Sequence, residues 1–310
     1  MSARPAVIAL MGPTASGKTA AGIALAQRLD GEVISVDSAL VYRGLDIGAA
    51  KPDLAERAGI PHHLIDLREP WQPYSAADFA RDAERLIVDI AGRGRLPILV
   101  GGTGLYFRAL LDGLSPMPES DPDTRATLQT ELHERGIAAL HQELQRIDPL
   151  AAQRIRPTDP QRILRAIEVF RVSGRALSTW QSEQGRRVRP FRCLKLVLAP
   201  DDRSLLHQRI ELRFEQMLAQ GLIDEVRALR TEPRNHADLP AMRAVGYRQV
   251  WQALDAPALL PELKARGVAA TRQLAKRQLT WLRSELDAFW VNPLTEAERL
   301  LSRVGDFLRH

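Results

Sequence analysis

Residues 12 to 19 read Gly12-Pro13-Thr14-Ala15-Ser16-Gly17-Lys18-Thr19 and fit the pattern G-x-x-x-x-G-K-[ST] at every fixed position. In front of them the run Ala6 to Met11 is apolar, as a buried strand is, and behind them Ala20 to Leu29 reads as a helix. Strand, loop and helix in that order build a phosphate-binding loop (P-loop). Its glycines let consecutive N–H groups converge on an anion, Lys18 adds a compact positive charge, and Thr19 offers a hydroxyl to a magnesium ion. What the phosphate belongs to is left open, because such a loop holds diphosphates and triphosphates alike. The motif alone therefore does not separate a kinase, an ATPase and a transferase.

Around the motif, strand patterns alternate with helical ones through the first third of the chain. Ala6–Met11, Val33–Val36 and Ile98–Val100 are the clearest strands. Phe79, Ala83, Leu86, Ile87 and Ile90 recur at helical spacing behind Ser75, a candidate N-cap, and a helix Gly104–Leu111 follows the third strand. The expected fold class is α/β, a P-loop NTPase-like parallel sheet flanked by helices. Asp112 to Asp123 is rich in Pro, Ser, Gly and Asp, and no convincing strand follows until Leu194–Leu198. We therefore read residues 1–115 as the first part of the core and 116–190 as a helical insertion. Residues 191–310 form a return to the sheet and a helical C-terminal part, with helices over Arg203–Arg230 and Ala258–Leu286.

Composition narrows the classes. The chain has 310 residues, 45% of them hydrophobic, enough to bury a substantial core. No apolar run approaches the roughly 20 residues that span a bilayer, and no charged-then-apolar leader precedes the first strand, so a cytoplasmic protein without a membrane partner is expected. The single cysteine, Cys193, excludes an internal disulfide and a multi-cysteine zinc site, and it reads as a small buried hydrophobe. The net charge is +5, and of the 43 basic residues only Lys18, Lys51, Lys195, Lys264 and Lys276 are lysines. Arginine suits phosphate and base edges, although a GC-rich genome produces the same bias.

Other segments carry chemistry. Val33 to Asp37 ends a strand in a carboxylate, and strand C-termini face the ligand crevice of an open α/β sheet, so Asp37 points toward whatever Lys18 holds. The third strand ends in Gly101-Gly102-Thr103-Gly104 where ATP-hydrolysing P-loop proteins carry an aspartate, which argues against a motor or switch ATPase. Thr103 there is placed to donate to a phosphate oxygen. Asn235-His-Ala-Asp238 lacks the lysine of a guanine reader, and His62-His63 point to opposite faces of an extended segment and so make a poor metal pair. Arg243-Ala244-Val245-Gly246-Tyr247-Arg248 can stack on bases and bind phosphate oxygens. On the helix expected over Thr271–Arg283, Arg272, Lys276 and Arg283 form a basic stripe beside the apolar Ala275, Leu279, Leu282 and Leu286, a candidate nucleic-acid face.

Taken together, Gly12–Thr19, Ser35–Arg43, Asp46–Pro52, Pro61–Asp66, Val100–Tyr106, Gln161–Arg165, Arg213–Val226, Arg243–Arg248 and Thr271–Arg283 resemble the tRNA dimethylallyltransferase (tRNA isopentenyltransferase) family. The resemblance runs through nearly the whole chain. It implies transfer of a dimethylallyl group from dimethylallyl diphosphate to the exocyclic amine of the adenosine just 3′ of the anticodon. The P-loop would hold the donor with a magnesium ion on Thr19. Asp37 would be the general base, and Thr103 and Arg213 would act with Lys18 on the departing diphosphate. Contacts to tRNA would come from Asp37, Ser38, Ala39 and Leu40, from Thr103 and Arg125, from Gln161, Arg162, Ile163, Leu164 and Arg165, from Arg243 to Arg248, and from Arg272 and Lys276. The insertion would clamp the anticodon stem. Many relatives carry Gln at Leu40 and Thr at Ala49, and the zinc finger of eukaryotic relatives has no cysteines here, which implies a bacterial-type enzyme, expected as a monomer. The rivals are a P-loop nucleoside or small-molecule kinase and a non-catalytic RNA-binding protein.

Overall fold

In the computed structural model, which describes residues 4–183 and 188–309, the first strand shows how the sheet is covered. Within β1 (Ala6–Met11), Val7, Ala9 and Met11 join one apolar cluster, and Ile8 and Leu10 join another on the opposite face. Side chains alternate along a strand, so an unbroken apolar run means helices on both sides. The run continues through α1 (Lys18–Arg28), β2 (Gly31–Val36), β3 (His62–His63), α2 (Ala76–Gly92), β4 (Leu96–Gly101) and α3 (Gly104–Leu111). Ser75 caps α2 as expected, accepting from the Asp78 N–H at 3.1 Å while Asp78 accepts from the Ser75 N–H at 2.9 Å.

The chain divides at Leu111/Asp112 and at Val188/Arg189 into two compact units. The insertion consists of α4 (Pro122–Ile147, broken at Gly136), α5 (Pro149–Arg154), α6 (Pro160–Ser173) and α7 (Leu177–Ser182) around its own apolar core of Leu128, Leu140, Leu144, Ile163 and Ile167. Asp121, Asp148 and Asp159 start three of its helices. Each accepts a backbone N–H with its carboxylate and is followed by a proline, whose fixed φ suits the first helical position.

Beyond the insertion come β5 (Arg192–Leu198), α8 (Arg203–Ala219), α9 (Leu222–Arg230), α10 (Tyr247–Asp255), a 3₁₀ turn over Pro257–Glu262, α11 (Leu263–Leu282), β6 (Phe289–Val291) and α12 (Ala297–Arg309). Two long helices expected from the periodicity are thus each broken. Gly221, at φ 100°, ends α8 and starts α9, and Pro261 keeps the segment before α11 in a 3₁₀ turn. Leu286 lies beyond the end of α11 and is 94% exposed, so it is no part of that helix's apolar stripe. The sheet order among the described residues is β3-β2-β4-β1-β5-β6, all parallel. The edge strands β3 and β6 were not expected.

His62 and His63 take different partners. His62 Nδ1 lies 2.8 Å from the Ile60 carbonyl, and His63 Nε2 lies 2.6 Å from Glu32. Burial pushes the Cys193 thiol up to about 12, which leaves it inert. Among the described residues no helix is long and apolar enough to cross a membrane.

Candidate active site

Strand register sets the site. Met11 on β1 and Val36 on β2 both pair with Gly101 on β4, so Gly12, Asp37 and Gly102 leave the sheet at one level. The connection after β1 runs past β4 to β2, and the chain after β4 returns to the sheet past β1 at β5. Opposed connections at neighbouring strands open a crevice at their carboxyl ends. A cleft of about 480 Å³ lies there.

Along one side of the cleft runs the P-loop. Ala15 at φ 63° and Gly17 at φ 90° hold left-handed backbone on either side of Ser16, the kind of alternation that turns successive N–H groups toward a common centre. Thr14, Ala15, Lys18 and Thr19 line the cleft, while Gly12, Pro13 and Ser16 are buried behind them and Gly17 faces solvent. Lys18 is half-buried as a residue, with its ammonium enclosed, and it donates to the Pro13 carbonyl at 3.3 Å. That enclosure pushes its pKa down to about 8; the Asp37 carboxylate pulls it up and the Arg213 guanidinium pushes it further down. Burial likewise lowers Arg213, with Asp37 and Glu56 acting against it. The three charges therefore sense one another across a single space.

Two helices build the facing walls. On α8, Ile210, Arg213, Phe214 and Met217 share a face, and on α11 so do Thr271, Leu274, Gln278 and Trp281, with Arg277 beside them. Gln278 ties the floor together: its Oε1 accepts from the Thr14 N–H at 2.8 Å and its Nε2 donates to the Gly102 carbonyl at 3.0 Å. One P-loop amide is thus engaged within the protein. Trp281 stacks on Phe107, with centroids 5.8 Å apart. Thr103 Oγ1 accepts from the Ser38 N–H at 3.1 Å, which leaves its own hydrogen to donate. Among the described residues that line the cleft, Asp37 is the only carboxylate.

The family model described as IPP transferase matches residues 40–285. The chain belongs to the IPP transferase family. It is 63% identical over 310 residues to the tRNA dimethylallyltransferase of Stenotrophomonas maltophilia (strain R551-3), covering 98% of each chain. The tRNA dimethylallyltransferase of Xanthomonas axonopodis pv. citri is 58% identical over 98% of this chain and 95% of its own. Among solved structures, the full-length tRNA isopentenylpyrophosphate transferase from Bacillus halodurans superposes with a TM-score of 0.72 at 37% identity, covering 99% of this chain and 97% of that one. A eukaryotic dimethylallyltransferase acting on tRNA superposes with a TM-score of 0.80 at 26% identity, over 98% of this chain and 80% of the other.

In this IPP transferase the expected site residues divide. The cleft brings together Asp37, Ser38, Ala39, Leu40, Thr103, Arg213, Arg243, Ala244, Val245 and Gly246 with the P-loop. Tyr247 does not join them: it is fully buried, so its ring is unavailable for stacking on a base. Arg248 is exposed but outside the cleft lining. On α11 the basic stripe sits beside the cleft face, and Arg272 is already paired with Glu211 at 2.9 Å. Lys276 is exposed, and Arg277, which sequence reasoning passed over, lines the cleft. Within the insertion, Ile163 and Leu164 are 0% and 5% exposed in its core, so their side chains are withheld from any RNA. Gln161 and Arg162 are exposed there; Arg165 binds Glu168 and the Pro118 carbonyl, and Arg125 donates to Ser120.

Proposed function

We propose that this IPP transferase transfers a dimethylallyl group from dimethylallyl diphosphate to the exocyclic N6 amine of the adenosine 3′-adjacent to the anticodon in tRNA, releasing diphosphate. The observation that carries the reading is a phosphate cradle facing an apolar wall of Ile210, Phe214, Met217, Leu274 and Trp281, with Asp37 as the cleft's one carboxylate. The curated relatives' names support the same reaction and do not favour a kinase.

In the reaction the bond between the allylic carbon and the bridging oxygen breaks, and the bond from that carbon to N6 forms. The proton leaving N6 passes to the Asp37 carboxylate. Adenine's exocyclic amine is a weak nucleophile, so proton removal must accompany bond formation. Lys18, Arg213 and the Thr103 hydroxyl meet the charge that gathers on the departing oxygens, in a cleft whose apolar wall strengthens each interaction. The Thr19 hydroxyl, which lines the cleft, would be the protein's ligand to a magnesium ion bound with the diphosphate, and among the described residues no cluster of three or more metal-binding side chains offers an alternative cage. When bound, the ion supplies charge neutralisation to the diphosphate. The adenine must leave its stack to reach Asp37, as targets in hairpin loops do.

The discriminating experiment measures diphosphate release. Release should require both dimethylallyl diphosphate and unmodified tRNA, and ATP with a panel of nucleosides should yield no phosphorylated product. ATP-dependent phosphorylation would favour the kinase.

Lys18 sets a pH dependence. Because its pKa is lowered to about 8, the free protein loses this charge as the pH rises through that value, and kcat/KM for the donor should fall about tenfold per unit above it. Bound diphosphate pulls the ammonium back toward protonation, so kcat should fall later. Asp37→Asn removes a neighbour that raises Lys18 and should move the limb to lower pH. Lys18→Arg stays charged and should abolish it; an unchanged limb in that variant assigns it to another group.

For tRNA, each phosphate contact releases counterion, and losing one should flatten the plot of log affinity against log salt by roughly 0.7 to 0.9. Lys276→Ala should do so, whereas Arg272→Ala should change the slope less because Glu211 already neutralises that side chain. Equal slopes for wild type and Lys276→Ala would remove Lys276 from the RNA surface.

A further inference from the structure

Two backbone segments of the cleft, Gly48 to Ala50 and Arg243 to Gly246, are supported from outside it by groups that do not line it. Glu225, near the start of α9, accepts from three consecutive amides: Oε2 from Asp46 N–H at 3.2 Å and Ile47 N–H at 2.7 Å, and Oε1 from Gly48 N–H at 3.2 Å. The next amide, Ala49 N–H, donates to the Tyr247 hydroxyl at 3.2 Å, and that hydroxyl donates to Glu225 Oε1 at 2.6 Å. Four successive N–H groups thus converge on one carboxylate and one phenol. Such a concave run of amides elsewhere collects an anion from solvent; here the protein supplies its own.

Packing reinforces the connection. A Cβ on Gly48 would lie 2.6 Å from the Tyr247 ring, so the phenol packs directly against the loop and only glycine leaves it room. Tyr247 is the first residue of α10, immediately after Gly246, whose φ is 95°. The Tyr247 ring is thereby anchored in the same stretch of chain as the Arg243–Gly246 segment. Burial and the Glu225 carboxylate both push the Tyr247 phenol well above its usual range, so it remains a donor at any physiological pH.

We propose that Glu225 and Tyr247 are positioning residues that lock the 46–49 and 243–246 segments into one wall and thereby set how the acceptor adenosine is presented to Asp37. The proposal rests on the prenyl-transfer reading above. It places both residues one step removed from substrate, acting on the tRNA side of the cleft and not on the P-loop.

The test compares wild type, Glu225→Gln, Tyr247→Phe and the double variant in steady-state transfer, with the active fraction counted by donor binding. Gln keeps the shape of Glu but turns one acceptor oxygen into a donor that faces the same amides; Phe keeps the ring against Gly48 and removes only the hydroxyl. Each single variant should lower kcat/KM for tRNA about 10- to 100-fold while KM for dimethylallyl diphosphate stays within about twofold. The double variant should be little worse than the poorer single one, because both cut the same link. A loss spread equally over donor and tRNA, or a fall in active fraction with both KM values unchanged, would show a merely structural role and overturn the proposal. Full additivity would also overturn it. Should Glu225→Gln fail to fold, Tyr247→Phe decides alone. Wild type is measured in parallel: absence of transfer there refutes the prenyl-transfer reading, and transfer with indifferent variants refutes only this inference.

Discussion

Asp37→Asn should lower kcat by about 100- to 10,000-fold, the range associated with loss of a general base, equivalent to about 3 to 5 kcal/mol in the barrier. Asparagine has the shape of aspartate, and its carbonyl oxygen can still accept the Ala39 N–H that Asp37 Oδ1 holds at 2.8 Å, so the turn leading to Leu40 should persist. What disappears is basicity, together with the negative charge between Lys18 and Arg213. Donor binding should change modestly, since losing a carboxylate from a site for diphosphate removes repulsion while it weakens Lys18. The measurement is single-turnover transfer beside equilibrium binding of tRNA and donor. Turnover within a fewfold of wild type would remove Asp37 from the chemistry.

Lys18→Met should cost about 1,000-fold in kcat/KM for the donor, comparable to deleting a strong donor group at a developing oxyanion. Its effect on stability should run the other way. The pKa of Lys18 is lowered from 10.5 to about 8, so below that range the folded protein carries a proton it holds less tightly than the unfolded chain does, and the enclosed charge opposes folding at neutral pH. Methionine occupies a similar volume without the charge. Thermal unfolding of the variant at pH 7 should therefore occur at or above the wild-type temperature while transfer collapses. A large drop in Tm accompanying the lost activity would mean that Lys18 holds the loop together and would undo the division between binding and stability.

The half of the site that is local in the chain could be read before folding. The P-loop is contiguous, and Asp37 ends an apolar strand whose register with β4 places it level with Gly12. The insertion is legible in the Pro-, Ser-, Gly- and Asp-rich run Asp112 to Asp123 and in the lack of a convincing strand before Leu194, whereas the three Asp-Pro pairs that start its helices emerge only in the fold. What escaped depends on rotation and on distant partners. On α11 the basic residues Arg272 and Lys276 drew the eye, yet the face that meets the cleft is the neighbouring one, with Leu274, Gln278 and Trp281. Neutral residues such as Gln278 carry no signal in a charge pattern, and its contacts to Thr14 and Gly102 span 264 and 176 residues of sequence. Tyr247 looked like a base-stacking residue because its neighbours Arg243 and Arg248 are cationic; folding turns it inward to Glu225. Strands β3 and β6, with two and three residues, are too short to show a period.

One incubation bears hardest on the proposed reaction: wild-type protein, magnesium, dimethylallyl diphosphate labelled in the allyl group, and unmodified tRNA, followed by digestion to nucleosides and mass analysis. Label should appear in a single nucleoside, N6-dimethylallyladenosine, in a one-to-one ratio with diphosphate released, and should vanish when the adenosine 3′ of the anticodon is replaced by guanosine. Label elsewhere in the tRNA, or no label while the protein binds both tRNA and donor, would contradict it.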